Sequence, residues 1–250
     1  MTILADTLVD RVDAASGRVY TSRGELEAET LVLAGGAYGS PGILLRSGID
    51  AGAGLIDHVG AGFGWEATTE LLAETAAFEA ANPLYMAGVT VRLDPDLFCF
   101  PAIESDYEIS AAVFNMKPRS RDRVLLASTD PEAPLRIEHG FLSDPHDAAV
   151  LERGVELVRE LLQAEPLARY AGREIRPGPA VTPAEHVRSA ARGFFHPVGT
   201  CAIGRVVDER GRVRGAERVL VADASIIPEI PRAPVNLTVI AVAERLAELL

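Results

Sequence analysis

An α/β fold with an antiparallel-sheet α+β part is what this sequence predicts, on three observations. A continuous apolar run, Leu31-Val32-Leu33-Ala34, leads through the turn GGAYGSP into a helical stretch, as a fully buried strand feeding a helix does. Between residues 84 and 141, short apolar and β-branched segments alternate with Pro95, Pro101, Pro118, Pro131 and Pro134. That is the pattern of antiparallel strands and turns. Residues 144–171 and the C-terminal stretch carry apolar residues at helical spacing.

The elements follow in order. Residues 3–12 (ILADTLVDRV) read as a strand, 16–24 (SGRVYTSRG) place turn residues around a second, and Glu25 to Leu33 continues the pattern. The first 33 residues therefore read as a small antiparallel β unit. After Ala34, Ser40 is a helix cap with Pro41 in the first turn, Ile43 to Leu45 form a short helix, and Ser47-Gly48 end it. Residues 51–64 (AGAGLIDHVGAGFG) are glycine-rich and read as loop, and 68–81 as a helix rich in Glu, Ala and Leu. YMAGVTVRL, YEISAAVFNMK, RVLLAS and LRIEHGF are strands. Asp144-Pro145 opens a helix over 144–171 with Leu151, Val155, Val158 and Leu162 on one face. RVVDERGRVRGAERVLVAD is hairpin-like and ends in a buried strand, Val219 to Ala222. The last helix sets Val239, Val242, Ala243, Leu246 and Leu250 against a face with Glu244, Arg245 and Glu248.

A chain of 250 residues needs no disulfide or metal staple to bury a core. Its 24 Lys and Arg against 36 Asp and Glu give a net charge of −12, which repels phosphate backbones and anionic membranes, so nucleic acid is excluded as a partner. Two cysteines, Cys99 and Cys201, make neither a disulfide framework nor a zinc spacing. There is no signal peptide pattern and no apolar stretch of ~18 residues, so a cytoplasmic protein with no membrane span is expected.

Several motifs carry possible chemistry. The GGAYGSP turn offers glycine backbone and a helix N-terminus to a ligand, or is an ordinary tight strand-to-helix turn. Gly62 to Ala67 fits G-x-G-x-x-A, yet the preceding LIDHV would bury Asp57 and His58 in a parallel strand, so it reads as a decoy. His139, Asp144, His146 and Asp147 fall at a turn and a helix cap and read as solvated side chains. Cys201, five residues after His196, reads as a small core residue. His196 lies between Phe195 and Pro197 in an apolar, buried-looking segment. It is either a satisfied core histidine or a general base, and residue chemistry alone leaves both open.

The ordered motifs resemble the glucose–methanol–choline (GMC) flavin oxidoreductases over nearly the whole chain. GAYGSPGILLRSGID resembles the family's second signature, LIDHVG the N-L-x-D-H segment, and PRSRDRVLLASTDPEAPLRIEHGFLSDPHD the P-x-S-x-G-x-V-x-L-x-S-x-D-P stretch. HPVGTCAIG, VVDERGRVRG, VLVADASIIPEIP and PVNLTVIAVAERLAELL resemble its C-terminal block. Ile203 stands where methionine is usual and Asp122 where glycine is usual, and the region between Gly64 and Pro118 is short for the family. The family opens with a strand, G-x-G-x-x-G and a helix, which this sequence does not contain.

The resemblance implies a C-terminal portion with a partial FAD-binding domain at 1–62, an antiparallel-sheet substrate domain at 63–189, and a return to the FAD-binding domain at 190–250. His196 matches the catalytic histidine of H-x-x-G-T and Asn236 the second catalytic position. Asp223 and Ala224 match a dipeptide touching FAD, and Asn236, Leu237 and Thr238 the backbone facing the flavin ring. Val9 matches a valine meeting the adenine, and Ala34 and Gly35 the turn near the adenosine. The implied reaction oxidises the CH–OH group of a small-molecule alcohol, with hydride passing to FAD. The resemblance also covers hydroxynitrile lyases, and an inactive fragment or interaction module is a further alternative. A separate polypeptide supplying the G-x-G-x-x-G unit, or self-association, is the expected partnership.

Overall fold

A computed structural model describes residues 2–82, 90–104 and 108–249. In chain order the first elements are β1 (Val9–Asp13), β2 (Arg18–Thr21), β3 (Gly24–Glu27), β4 (Leu31–Leu33), α1 (Gly36–Arg46), β5 (Ala53–Leu55), β6 (Val59–Ala67) and α2 (Thr69–Ala81). Then come β7 (Val91–Asp94), β8 (Leu97–Glu104), β9 (Glu108–Asn115), β10 (Asp122–Leu125), β11 (Arg136–Glu138) and α3 (Pro145–Gln163). The chain closes with β12 (Ala171–Arg176), α4 (Pro183–Ala190), β13 (Arg192–Gly193), β14 (Arg212–Val213), β15 (Ala216–Val221) and α5 (Asn236–Ala247). The expected mixed fold of helices and antiparallel sheets is present. Part of the strand expected in YMAGVTVRL lies outside the described residues.

Two compact units form. The first comprises residues up to Asp57, Arg121–Gly140 and residues from Phe195 onward. It holds the antiparallel sheet β1-β2-β3, the sheet β11-β10-β5, and the sheet β14-β15-β4, in which β15 and β4 run parallel with Val221 opposite Leu33. Leu31, Leu33, Leu44, Val219, Val221 and Ile226 close its core. Burying such a side chain is worth roughly 1.5–3 kcal/mol.

The second unit comprises His58–Ser120 and Phe141–Phe194. Its sheet runs β12-β6-β9-β8-β7, with β13 also on β6. Val59, Phe63, Trp65 and Val113 on one face of this sheet pack with Leu151, Val155 and Val158 of α3. Gly154 lets the helix approach, since a Cβ there would fall 2.9 Å from Val113 Cγ2. Arg159 of α3 holds β12 through a two-pronged ion pair with Glu174, at 2.9 and 3.1 Å.

Four expectations are corrected. Residues 51–64 are not loop: Val59, Ala61, Phe63 and Trp65 alternate with Gly60, Gly62 and Gly64 in β6, and the glycines hid a period of two. Pro101 does not interrupt the chain between strands but sits inside β8 opposite Ala111, beyond the β7 pairing, which ends at Cys99. The helix expected over 144–171 stops at Gln163, ahead of Pro166, and Ala171 begins β12. Helix α1 starts at Gly36 rather than after Ser40, so Pro41 is inside it and deprives the Ala37 carbonyl of its helical donor. The Thr200 hydroxyl donates to that carbonyl at 2.8 Å.

The unit boundaries also differ from 62 and 189. Residues 121–140 return to the first unit because β10 pairs with β5 and Leu135 packs on Gly42.

Asp147, expected to be solvated, is fully buried. Its carboxylate accepts from Asn115 Nδ2 at 3.2 Å, Arg119 N at 2.9 Å and Ser120 N at 2.8 Å. Asp147→Ala strands two buried donors and the part-buried Arg119 N–H, and we expect a loss of roughly 3 kcal/mol or more, against about 0.5 kcal/mol or less for Glu132→Ala at the surface. Urea unfolding followed by fluorescence of Trp65, the single tryptophan and a core residue of this unit, checks the difference.

Candidate active site

His196 follows a residue with unusual backbone. Phe195 has φ of 61°, left-handed for a bulky side chain, and its ring is 91% exposed. The expected burial holds from Val198 to Ala202, while Phe195 is exposed and His196 itself is half-buried. Its backbone N–H donates to Asp57 Oδ1 at 2.9 Å. Asp57 is buried, and this bond supplies part of the compensation that a buried carboxylate requires. Burial holds the His196 pKa below the ordinary histidine value, and the Asp57 charge opposes that shift. The result is an imidazole neutral near pH 7 and able to accept a proton. Burial, and then the same carboxylate, push the Tyr38 phenol up to about 12.

Two residues further on, Val198 pairs with Ile56 in an antiparallel bridge. Gly199 has φ of 92°, and a Cβ there would lie 2.4 Å from the Gly54 carbonyl oxygen, so only glycine fits. Val198 belongs to an apolar cluster with Ile56, Ile227, Ile230 and Val235, on which Ala224 and Val239 pack. Through Val198 and Val235, the segment just after His196 and the residue just before α5 belong to one cluster, and Asn236 is the first residue of that helix. Asn236 and Leu237 are exposed, and Val235 gives α5 no side-chain cap. The first N–H groups of a helix lack helical partners, so Asn236, Leu237 and Thr238 present donors and a positive helix end beside the uncovered side chains Leu237 and Ile240.

The structure also gathers Ala34, Gly35, Asp223 and Ala224, which sit at the carboxyl ends of the parallel strands β4 and β15. Asp223 accepts from Gly36 N at 2.9 Å, Ser40 Oγ at 2.5 Å and Ser225 N at 2.8 Å. Both carboxylate oxygens are engaged, so its side chain shapes the turn and its backbone is what a ligand can meet. Ala34 and Gly35 are exposed, and Gly35 N donates to Ser40 Oγ at 2.9 Å. Val9 lies elsewhere in this unit, in the sheet β1-β2-β3, where its carbonyl accepts from Arg46 Nη2 of α1 at 3.4 Å.

Other candidates resolve. Burial pushes the Cys201 thiol up to about 12, leaving no thiolate nucleophile. Gly62 to Ala67 lies inside β6 and opens no helix. Among the described residues no group of His, Cys, Asp and Glu could hold a metal ion, and no helix is long and apolar enough to cross a membrane. The residue missed is Asp57. Its signal was the cost of burying it, which implies a partner.

The comparisons agree with this architecture. The family model for GMC oxidoreductase matches residues 118–243. The chain belongs to the GMC oxidoreductase family. It is 30% identical to the choline oxidase of Arthrobacter globiformis over 98% of this chain and 52% of that protein. It is 36% identical to an alcohol dehydrogenase [acceptor] of Pseudomonas putida over 58% of this chain and 28% of that protein. A solved pyridoxine 4-oxidase from Mesorbium loti superposes with a TM-score of 0.84 at 24% identity, over 99% of this chain and 58% of that one. A formate oxidase from Aspergillus oryzae, studied for its FAD modification, gives 0.81 at 20% identity over 99% of this chain and 60% of that one. The chain spans between about a quarter and about half of the length of these curated relatives.

We expect His196 to titrate below ~6.5, the ordinary histidine value. Asp57→Asn should lower it further, because the amide keeps the acceptor but removes the charge that favours imidazolium. Ring-proton chemical shifts followed against pH measure both, and an unmoved midpoint in Asp57→Asn would refute the coupling.

Proposed function

We propose that this chain carries the proton-handling part of an FAD-dependent oxidation of a small-molecule alcohol at its CH–OH group. The observation that supports it best is an imidazole kept neutral by burial, on a main chain that Asp57 holds through the His196 N–H, in a segment whose Val198 packs in one apolar cluster with Val235 at the uncapped start of α5. His196 takes the proton of the substrate hydroxyl, for which a neutral imidazole near physiological pH is suited. Asn236 donates a hydrogen bond to the substrate oxygen. Bound FAD would supply the hydride acceptor. The names of the relatives, choline oxidase and alcohol dehydrogenase among them, favour this reading, as does the family itself.

The residues present fit part of FAD. Open N–H donors of Asn236, Leu237 and Thr238 beside exposed Leu237 suit the edge and face of a flavin ring. The exposed turn at Ala34 and Gly35, with the Asp223-Ala224 backbone, suits the adenosine, while Val9, on the separate sheet β1-β2-β3, is assigned to the adenine by the family resemblance alone. A strand, G-x-G-x-x-G turn and helix for the pyrophosphate is not among these 250 residues. The strand β4 ends its sheet among the described residues, with Val32 47% exposed. We propose that a unit of that kind, on a separate polypeptide or reached by self-association, covers this edge. The two unpaired, buried thiols suit a reducing, cytoplasmic setting.

In holoenzyme assembled with this chain, His196→Ala should lower turnover by roughly 10²–10⁴-fold with little change in FAD content. Asn236→His should retain more activity than Asn236→Ala. Stopped-flow reduction of the flavin band by an alcohol reads these effects, and cyanohydrin cleavage without flavin reduction would show a lyase instead. Made alone, the 250-residue chain should be colourless and self-associating. Co-expression with a G-x-G-x-x-G unit should turn it yellow. A stable yellow monomer would overturn the assignment of the pyrophosphate to other residues.

A further inference from the structure

The sheet of the second unit has an opening along β6. On that side β13 covers only Val59 and Gly60, and β12 begins at Gly64, so Gly62 and Phe63 face neither strand. A cavity of about 530 Å³ sits there, lined among others by Gly62, Phe63, Phe100, Arg176, His186 and Arg192. The backbone at the opening is accounted for in part, since His186 Nε2 lies 2.9 Å from the Gly62 carbonyl oxygen. A nitrogen facing a carbonyl donates, so Nε2 carries a proton. Burial lowers the His186 pKa, so the ring is held neutral. Arg176 is committed to Glu108, which it meets at 2.9 Å through Nη1.

Arg192 is the remaining charge on the lining. It makes no ion pair and no side-chain hydrogen bond with the described residues, in a chain where acids outnumber bases by 36 to 24. Its guanidinium rests over Gly62: a Cβ at that position would fall 2.8 Å from Arg192 Nη2. The missing side chain at Gly62 is what admits the guanidinium to the opening. The cavity therefore combines one planar cation with no ion-pair partner among the described residues, able to grip a carboxylate with two parallel N–H bonds, and apolar lining at Phe63 and Phe100.

We propose that this cavity is a binding site for a small monocarboxylate with an apolar or aromatic body, held through Arg192. The site stands on its own and does not depend on the reaction proposed above. Benzoate is the probe, with benzamide as its neutral counterpart of similar shape. Titrated calorimetrically into the full chain at low salt, benzoate should bind in the millimolar range and shift the backbone amide signals of Gly62, Phe63 and Arg192. Arg192→Gln should weaken benzoate by roughly 10- to 100-fold, the worth of charge-assisted hydrogen bonds. Arg192→Lys should keep part of the affinity, and benzamide should bind weakly and equally to wild type and Arg192→Gln. Because Arg192 is exposed, its loss leaves the core intact, and an unchanged Trp65 fluorescence spectrum confirms that. Equal benzoate affinity in wild type and Arg192→Gln, benzamide binding as tight as benzoate, or shifts confined to other residues would each overturn the proposal.

Discussion

The first unit depends on the carboxylate of Asp223. It sits where β15 ends, accepts from Gly36 N at the start of α1 and from Ser40 one turn further, and caps the short turn Ala224–Ile226 through Ser225 N. One buried side chain thereby fixes the ends of two parallel strands and the helix that follows the first. Three donors on a single buried carboxylate offset a desolvation cost that an unpaired one could not sustain. Ser40 is drawn inward by this bond, which is why it does not cap a helix as its place before Pro41 suggests. The helix starts earlier, Pro41 falls inside it, and the freed Ala37 carbonyl is taken by Thr200. The segment carrying His196 is thus tied to α1 by the consequence of one ion's hydrogen bonds.

Asp57 repeats the arrangement on a smaller scale. Its bond to the His196 backbone fixes the main chain from which the imidazole projects, while its charge favours the protonated ring. Burial and charge pull the imidazole in opposite directions, and burial is the larger. A base poised this way is neutral in the resting protein and can hold a proton when one arrives. The left-handed Phe195 just before it is kept in place by the surrounding fold, since that backbone is costly for an aromatic residue.

What the sequence made legible were the periods and the ordered motifs. The parallel pair β4–β15 was visible as two apolar runs, α3 as Leu151, Val155 and Val158, and the helix start at Asn236 through the family's C-terminal block. Strand β6 was missed because Gly60, Gly62 and Gly64 occupy every second position, and glycine reads as a loop former wherever the opposing face is not seen. Strand β8 was missed because Pro101 reads as a break, although a proline is tolerated where no neighbouring strand needs its N–H. Asp147 was read as solvated because a carboxylate beside a helix start usually is; the three donors that bury it come from Asn115, Arg119 and Ser120, far along the sequence. His196 was legible by type but its support was not, because Asp57 lies well over a hundred residues away.

The segment HPVGT shows why a motif can be specific without every residue being chemical. Gly199 is required by the Gly54 carbonyl pressed against it, Thr200 by the carbonyl that Pro41 leaves open, and Val198 by the apolar cluster shared with Val235. Only the imidazole of His196 has properties suited to moving a proton. The neighbouring residues fix where that imidazole stands, and each does so through a partner distant in sequence. With His196 in its proposed role, a change at Gly199 or Thr200 would act through position, because these residues fix the main chain that carries the imidazole.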